Sequence, residues 1–355
     1  MSAARADTLV ERLRERELDF LVVTDLTNVR YLSGFTGTNG LCVVGPDERL
    51  FLTDFRYVER AQVEVPDFER ARGKQDLLGD AAERVRGRVG FEDQYMSVRQ
   101  HERLRGLVGD DVELVPAGGI VEELRAVKDE DELRAMRAAA SLADEMYEYL
   151  CDRGLVGRSE REVAVDVERE MRARGAEDPS FPSIIGAAAN GALPHASPGD
   201  TEIGADTLVI VDMGCRVDGY CSDCTRTFAT GSLSDEAGSV YELVLAAQEE
   251  ALAAVRAGAD CQEVDSVARE RIAAAGYGEQ FGHGLGHGVG LDVHEAPRLA
   301  QSAEGSLATG NTVTVEPGVY VPGAFGVRIE DLVVVTDGGS EVLSHFPKRL
   351  ITLGA

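Results

Sequence analysis

The sequence predicts two domains, an α/β layer followed by an α+β unit, on three observations. Strand-like and helix-like patterns alternate over roughly the first 120 residues. The run Pro116-Ala117-Gly118-Gly119 then breaks the chain. Beyond it, two long helical patterns give way to strands and loops in which acids and histidines sit among apolar residues. At 355 residues the chain is long for one domain and comfortable for two. The expected division is 1–122 and 123–355.

Residues 5–17 read as an amphipathic helix. Segments 20–24, 41–44 and 50–53 are apolar runs of strand length, with Gly34, Gly37, Gly40, Gly45 and Pro46 marking turns between them. Helical patterns return at 76–88 and 98–108, with short strands at 89–92 and 112–115. After the break, 129–151 opens on acids that suit a helix N-terminus. Segment 159–174 opens with Ser159 and Glu162 in capping-box spacing. Two further helices, 234–257 and 261–275, interrupt the strands of the second half. Each helix pair lies beside a strand region, which hints at an internal duplication.

Hydrophobic residues make up 44% of the chain, enough for a sizeable core. No run approaches the roughly 20 apolar residues of a spanning helix. Arg5, Asp7, Glu11 and Arg12 occupy the start, where a signal peptide needs an apolar stretch. The expectation is a soluble, cytosolic protein. The net charge of −27 is spread along the chain and disfavours nucleic acid and anionic membranes as partners. Only Lys74, Lys128 and Lys348 among the 36 basic residues are lysine. Diffuse acidity with scarce lysine resembles proteins of salt-loving archaea. The six cysteines do not suggest a disulfide scaffold in a cytosolic chain of this length. Cys221 and Cys224 form a C-x-x-C, but their strand-like flanks point positions three apart to opposite faces, and no second pair completes a zinc site.

Three motifs carry the chemistry. In 208–228, two apolar strands flank a hairpin turn at Val217-Asp218-Gly219. Asp212 and Asp223 are equidistant from a turn centred between Val217 and Asp218. That register sets them opposite one another, about 5 Å apart on one face. Two acids so placed repel unless a cation lies between them; the alternative is a solvent-facing pair. In 312–331, Glu316 and Glu330 are likewise equidistant from Gly323. Between these motifs, glycine fills every second position from 282 to 290, around His283 and His287, with His294 close behind. Read as a strand, the run strips one face and leaves His283, Leu285, His287 and Val289 on the other, permitting close approach of backbone or ligand. His101 and His345 carry no such context. Four carboxylates with one imidazole suit manganese, cobalt or zinc. Carboxylates that bridge two ions make a dinuclear site with a shared nucleophilic water.

Over essentially its whole length the chain resembles the pita-bread metallopeptidases: Xaa-Pro dipeptidases (prolidases), aminopeptidases P and methionine aminopeptidases, with creatinase as a metal-free relative. The resemblance implies metal ligands at Asp212, Asp223, His287, Glu316 and Glu330. It implies two divalent ions, manganese first, bridged by Asp212 and Glu330, with Asp223 on one and His287 and Glu316 on the other. His195, in Leu193-Pro194-His195, and His294, in His294-Glu295-Ala296-Pro297-Arg298, match its substrate-facing histidines. His283 and Arg328 match pocket-lining positions, and Arg298 and Arg328 are candidates to hold a substrate carboxylate. Glu316 would also carry a proton to the leaving proline nitrogen. Asn28-Val-Arg-Tyr31-Leu-Ser-Gly34-Phe35 and Thr53-Asp54-Phe-Arg56-Tyr57 are similar to the creatinase-like N-terminal domain of the proline-directed members. The implied protein is a prolidase acting on small Xaa-Pro peptides, and a homodimer. An aminopeptidase P on longer peptides is the alternative. A non-catalytic binding protein on the same scaffold, or creatine-type hydrolysis, fits poorly with an intact ligand set.

If the acidity is an adaptation to molar salt, where the Debye length falls to about 3 Å at 1 M, the urea midpoint rises between low and molar salt. A flat or falling midpoint overturns that reading.

Overall fold

The computed structural model describes residues 2–74 and 76–354. Contacts divide the chain after Arg125 into two units.

The first unit is built on one six-stranded sheet. Its strands are β1 (Phe20–Val23), β2 (Gly40–Gly45), β3 (Glu48–Thr53), β4 (Glu69–Arg72), β5 (Gly87–Phe91) and β6 (Val112–Pro116), in the order β4-β3-β2-β1-β5-β6. β1, β2 and β3 pair antiparallel, and the outer pairings are parallel. Phe20, Val22, Val43, Leu50 and Val89 form part of its core. The helix expected over 76–88 is confined to Leu78–Ala82. Helices Leu26–Ser33, Val58–Glu64 and Ile120–Arg125 and strand β4 were absent from the sequence reading. Helix Leu26–Ser33 is only eight residues long, but the Asp25 carboxylate accepts the Asn28 N–H and Gly34 closes it at φ +84°. Strand β4, Glu-Arg-Ala-Arg, has no apolar alternation because it is the sheet's edge and is largely exposed. Asn28, within the creatinase-like motif, is buried; it donates to Glu92 and Glu122 and accepts from Arg125.

In the second unit the four long helices are Glu130–Arg153, Glu160–Ala173, Asp235–Ala254 and Cys261–Ala274. Each starts at a side-chain cap, Asp129, Ser159, Ser234 and Asp260, of which the sequence predicts Ser159. Asp129 with Glu132 and Ser159 with Glu162 form full capping boxes. The strands are β7 (Asp178–Pro179), β8 (Ile184–Ala187), β9 (Leu208–Met213), β10 (Cys215–Val217), β11 (Tyr220–Cys221), β12 (Cys224–Ala229), β13 (Gly286–Gly288), β14 (Glu295–Leu299), β15 (Thr312–Val315), β16 (Gly318–Val321), β17 (Phe325–Arg328), β18 (Asp331–Thr336) and β19 (Gly339–Val342). They form sheets β12-β9-β8 and β14-β13-β15-β18-β19, the smaller sheet β11-β10-β7, and the hairpin β16-β17. One helix pair packs on each large sheet, over cores that include Tyr147, Val167, Val211 and Phe228 on one side and Val244, Val264, Val313 and Val333 on the other.

Arg226 on β12 stitches the sheets together. It is buried and donates to Phe346 O at 2.7 and 3.1 Å, to Thr225 O at 3.0 Å, to Glu330 O and to the Asp331 carboxylate at 2.9 Å. Lys348 meets the other Asp331 oxygen at 2.8 Å. All six cysteines are free, and burial pushes the thiols of Cys42, Cys215 and Cys224 up. Replacing Arg226 with leucine removes the donor from buried carbonyls and from Asp331 Oδ1. The loss should be about 3–5 kcal/mol of unfolding free energy, read from urea denaturation; a loss under about 1 kcal/mol contradicts this account.

Candidate metal centre

The first hairpin turns on Asp218 and Gly219, at φ +50° and +87°. Positive φ at both central positions is the geometry of the tight two-residue turn that Asp-Gly favours. Its register therefore pairs Val217 with Tyr220, Arg216 with Cys221, Met213 with Cys224 and Asp212 with Thr225. The expected direct opposition of Asp212 and Asp223 is thus displaced, because the turn centre lies one residue later than the spacing suggested. In this register Asp223 falls across from Gly214, two residues along from Asp212, so the two acids are diagonal neighbours on one face. Gly214 is required there, since a Cβ would collide with Ser222 O. Both acids are buried, which removes the solvent-facing alternative.

The second hairpin follows its spacing. Val315 pairs with Asp331 and Gly318 with Arg328, so Glu316 and Glu330 face one another where the ladder opens between β15-β18 and β16-β17. The glycine run departs from a single strand: only β13 is extended, with a register shift after His287. Leu285 and Val289 go into the core while His283 and His287 line a cavity, so the odd-numbered residues do not share one face. The glycines are nonetheless needed for close approach. A Cβ at Gly286 would collide with Thr314 O, and one at Gly288 with Ala296 O.

These elements converge. Carboxylate oxygens of Asp212, Asp223 and Glu330 all lie within 4.8 Å of one another. The His287 Nε2 is 3.3 Å from Glu316 Oε1 and 3.6 Å from Asp223 Oδ2. Its Nδ1 sits 3.0 Å from Gly288 O, so Nε2 is the ring atom presented to the acids. Burial and then neighbouring acids push the carboxyls of Asp223 and Glu330 well up. Asp212 is also raised, by burial, against the pull of Arg328. Glu316 goes the other way: against the upward push of burial, His287 holds it at about 2. Among the described residues, Asp212 Oδ1 and Glu330 Oε1 are buried with no hydrogen-bond partner. Buried, mutually repelling acids with orphaned oxygens and an aimed imidazole fit a divalent cation.

One cavity of about 620 Å³ is lined by all ten residues singled out in the sequence: His195, Asp212, Asp223, His283, His287, His294, Arg298, Glu316, Arg328 and Glu330. The His294 ring stands 4.4 Å from that of His287, and His195, His294 and Arg298 are exposed. Arg328 is buried, with its donors engaged by Asp212 Oδ2 at 2.6 Å, Tyr320 Oη at 2.8 Å, Thr225 Oγ1 at 3.1 Å and Pro194 O at 3.2 Å. Its side chain braces the Asp212 carboxylate. Sequence reasoning missed Tyr320, which also touches His283 Nε2 at 2.9 Å, and the apolar wall of Phe181, Pro182, Ile184 and Val293. Tyr320 lies four residues after Glu316 on the same hairpin, a usable signal; the wall comes from distant segments and leaves none.

If a cation relieves this repulsion, saturating manganese should raise the melting temperature of chelator-treated protein by roughly 5–10 °C, as binding at 100-fold its dissociation constant contributes about 2.7 kcal/mol. Asp223→Asn should abolish most of the rise. An unchanged melting temperature in the unsubstituted protein rejects a cation site.

The model of metallopeptidase family M24 matches residues 134–337, and that of the creatinase/prolidase N-terminal domain matches 5–127. The uncharacterized peptidase YqhT of Bacillus subtilis is 40% identical over 340 residues, covering 95% of this chain and 96% of its own. An Xaa-Pro dipeptidase of Pyrococcus horikoshii is 34% identical over 350 residues, covering 97% of each. Among solved structures, the Xaa-Pro dipeptidase from Bacillus anthracis superposes with a TM-score of 0.96 at 36% identity, covering 99% of this chain and 100% of that one. The X-Pro aminopeptidase from Thermotoga maritima gives 0.91 at 32%, covering 98% and 100%. With matches that span both units, the chain belongs to metallopeptidase family M24 and carries the creatinase/prolidase N-terminal domain.

Proposed function

We propose that this protein is an Xaa-Pro dipeptidase that uses two divalent ions, manganese first among them. The observation that carries the reading is the single cavity in which five ligand-type side chains meet His195, His294 and Arg298. Asp212, Asp223, His287, Glu316 and Glu330 would hold the ions. Bound there, the ions supply Lewis acidity toward the scissile carbonyl and acidify a shared water.

The chain's own residues do the rest. Glu316 accepts a proton from the attacking water and passes it to the leaving proline nitrogen. His294 and His195, on the exposed side of the cavity, donate to the scissile carbonyl oxygen as it gains charge. Arg298, also exposed, takes the substrate carboxylate in a bidentate grip. Arg328 keeps Asp212 in place, and Tyr320 links it to His283. The wall of Phe181, Pro182, Ile184 and Val293 packs on apolar parts of the peptide. The reading takes residues 1–122 as the creatinase-like domain and 123–355 as the catalytic domain, in a cytosolic homodimer without nucleic-acid or membrane partners. The division after Arg125, the diffuse negative charge and the absence, among the described residues, of a helix long and apolar enough to cross a membrane support it.

The similarity to an X-Pro aminopeptidase keeps one second reading, release of the first residue from longer Xaa-Pro peptides. Hydrolysis of Met-Pro beside a longer Xaa-Pro peptide, in molar salt with manganese, separates the two. Cleavage of the dipeptide alone is expected; cleavage of the longer peptide establishes the aminopeptidase, and cleavage of neither by metal-loaded protein rejects both. Glu316→Gln should lower turnover by about 10²- to 10⁴-fold with circular dichroism unchanged. Near-normal turnover removes Glu316 from the proton path.

A further inference from the structure

His294 lies on the loop between β13 and β14, and its position depends on what folds that loop. On one side the Cys221 N–H donates to Gly290 O at 2.7 Å. On the other, the first residue after His294 turns back into the loop. Glu295 Oε1 accepts the Asp292 N–H at 3.0 Å. Its carboxylate lies so close to the loop's backbone that a Cβ at Gly290 would sit 2.5 Å from Oε2. The second oxygen is met by Lys128 Nζ at 3.1 Å, with side-chain exposures of 1% for Lys128 and 6% for Glu295.

Lys128 is itself rigidly set. Its N–H donates to Gly310 O at 2.9 Å, Val127 bridges to Asn311, and Asp129 caps the following 24-residue helix. The chain uses arginine almost everywhere it needs a cation. Here, where one compact charge on a straight stem must reach a buried carboxylate, it uses lysine. Lys74, by contrast, is exposed. Neither Lys128 nor Glu295 lines the cavity.

We propose that the buried Lys128–Glu295 pair is a brace that folds the 289–294 loop and aims His294 at the substrate, making Lys128 a positioning residue for the hydrolysis. The inference rests on the role given to His294 above. Without the Lys128 charge the Glu295 carboxylate would be drawn from its buried seat toward water. The loop would lose the acceptor for Asp292 N–H, and His294 would be displaced. Displacement of about 1 Å is enough to cost roughly 100-fold in rate.

The test is a cycle in the manganese-loaded protein with an Xaa-Pro dipeptide: Lys128→Met, His294→Ala and both together. Lys128→Met should lower kcat by about 10- to 100-fold with KM within about threefold and manganese content unchanged. In the His294→Ala background the same substitution should cost less than about twofold, because residues acting as one unit are not additive. Equal losses in both backgrounds overturn the brace, since the pair then acts elsewhere. So does a rise in KM with kcat preserved. Near-normal turnover of His294→Ala alone overturns the role of His294 itself, an outcome distinct from failure of the brace. If Lys128→Met does not fold, Glu295→Met, which removes both the partner charge of Lys128 and the acceptor for Asp292 N–H, takes its place in the same cycle with the same criteria.

Discussion

The mutual repulsion of Asp212, Asp223 and Glu330 is the constraint around which the second unit is arranged. Three carboxylates with oxygens inside 4.8 Å and little access to water oppose folding, and their raised pKa values express that opposition. Two hairpins hold them against it. Thr225 donates to Glu330 at 2.7 Å and Thr227 to Arg328 O at 2.8 Å, so β12 is tied directly to the second hairpin. Arg328 brings a guanidinium to a cluster carboxylate, that of Asp212. The surrounding core and the Arg226 network provide the rigidity that makes such a concentration of charge tolerable. A scaffold that stores repulsion in this way is preorganised for a cation, because binding removes a penalty already present in the fold.

Much of this was legible in the residues, and the reasons differ by element. The four long helices were legible as patterns, helped by the acids that open 129–151 and the Ser159–Glu162 capping box, and the structure adds side-chain caps at Asp129, Ser234 and Asp260. The Glu316–Glu330 register followed from spacing about Gly323 because that hairpin keeps one register through the opening in its ladder. The Asp212–Asp223 register did not, because turn chemistry outranks symmetry: Asp-Gly supplies the two positive φ angles and moves the centre by one residue. The glycine run misled as a strand because close backbone approach, rather than face alternation, sets its glycines. Strand β4 lacked a signal because a charged edge strand has none to give.

The side chains that bear on chemistry split along a similar line. Ligand-type residues are rare in apolar strands and stand out one by one. The Lys128–Glu295 pair, 167 positions apart, is visible only when the fold brings the segment before the first long helix beside the loop after β13. The same holds for the reassignment of Arg328, whose charge suggested a substrate carboxylate until its donors were found turned to Asp212, Tyr320 and Pro194.

The scarcity of lysine has a practical side. Of the three amino side chains, Lys128 is enclosed with Glu295, and Lys348 is only partly exposed and held by Asp331 and Gln248. Lys74, in the first unit, is the lysine open to solvent. Acylating dyes, cross-linkers and resin esters that seek lysine side chains therefore meet one fully open amine, so labelling is directed mainly to Lys74 in the first unit rather than spread over the surface.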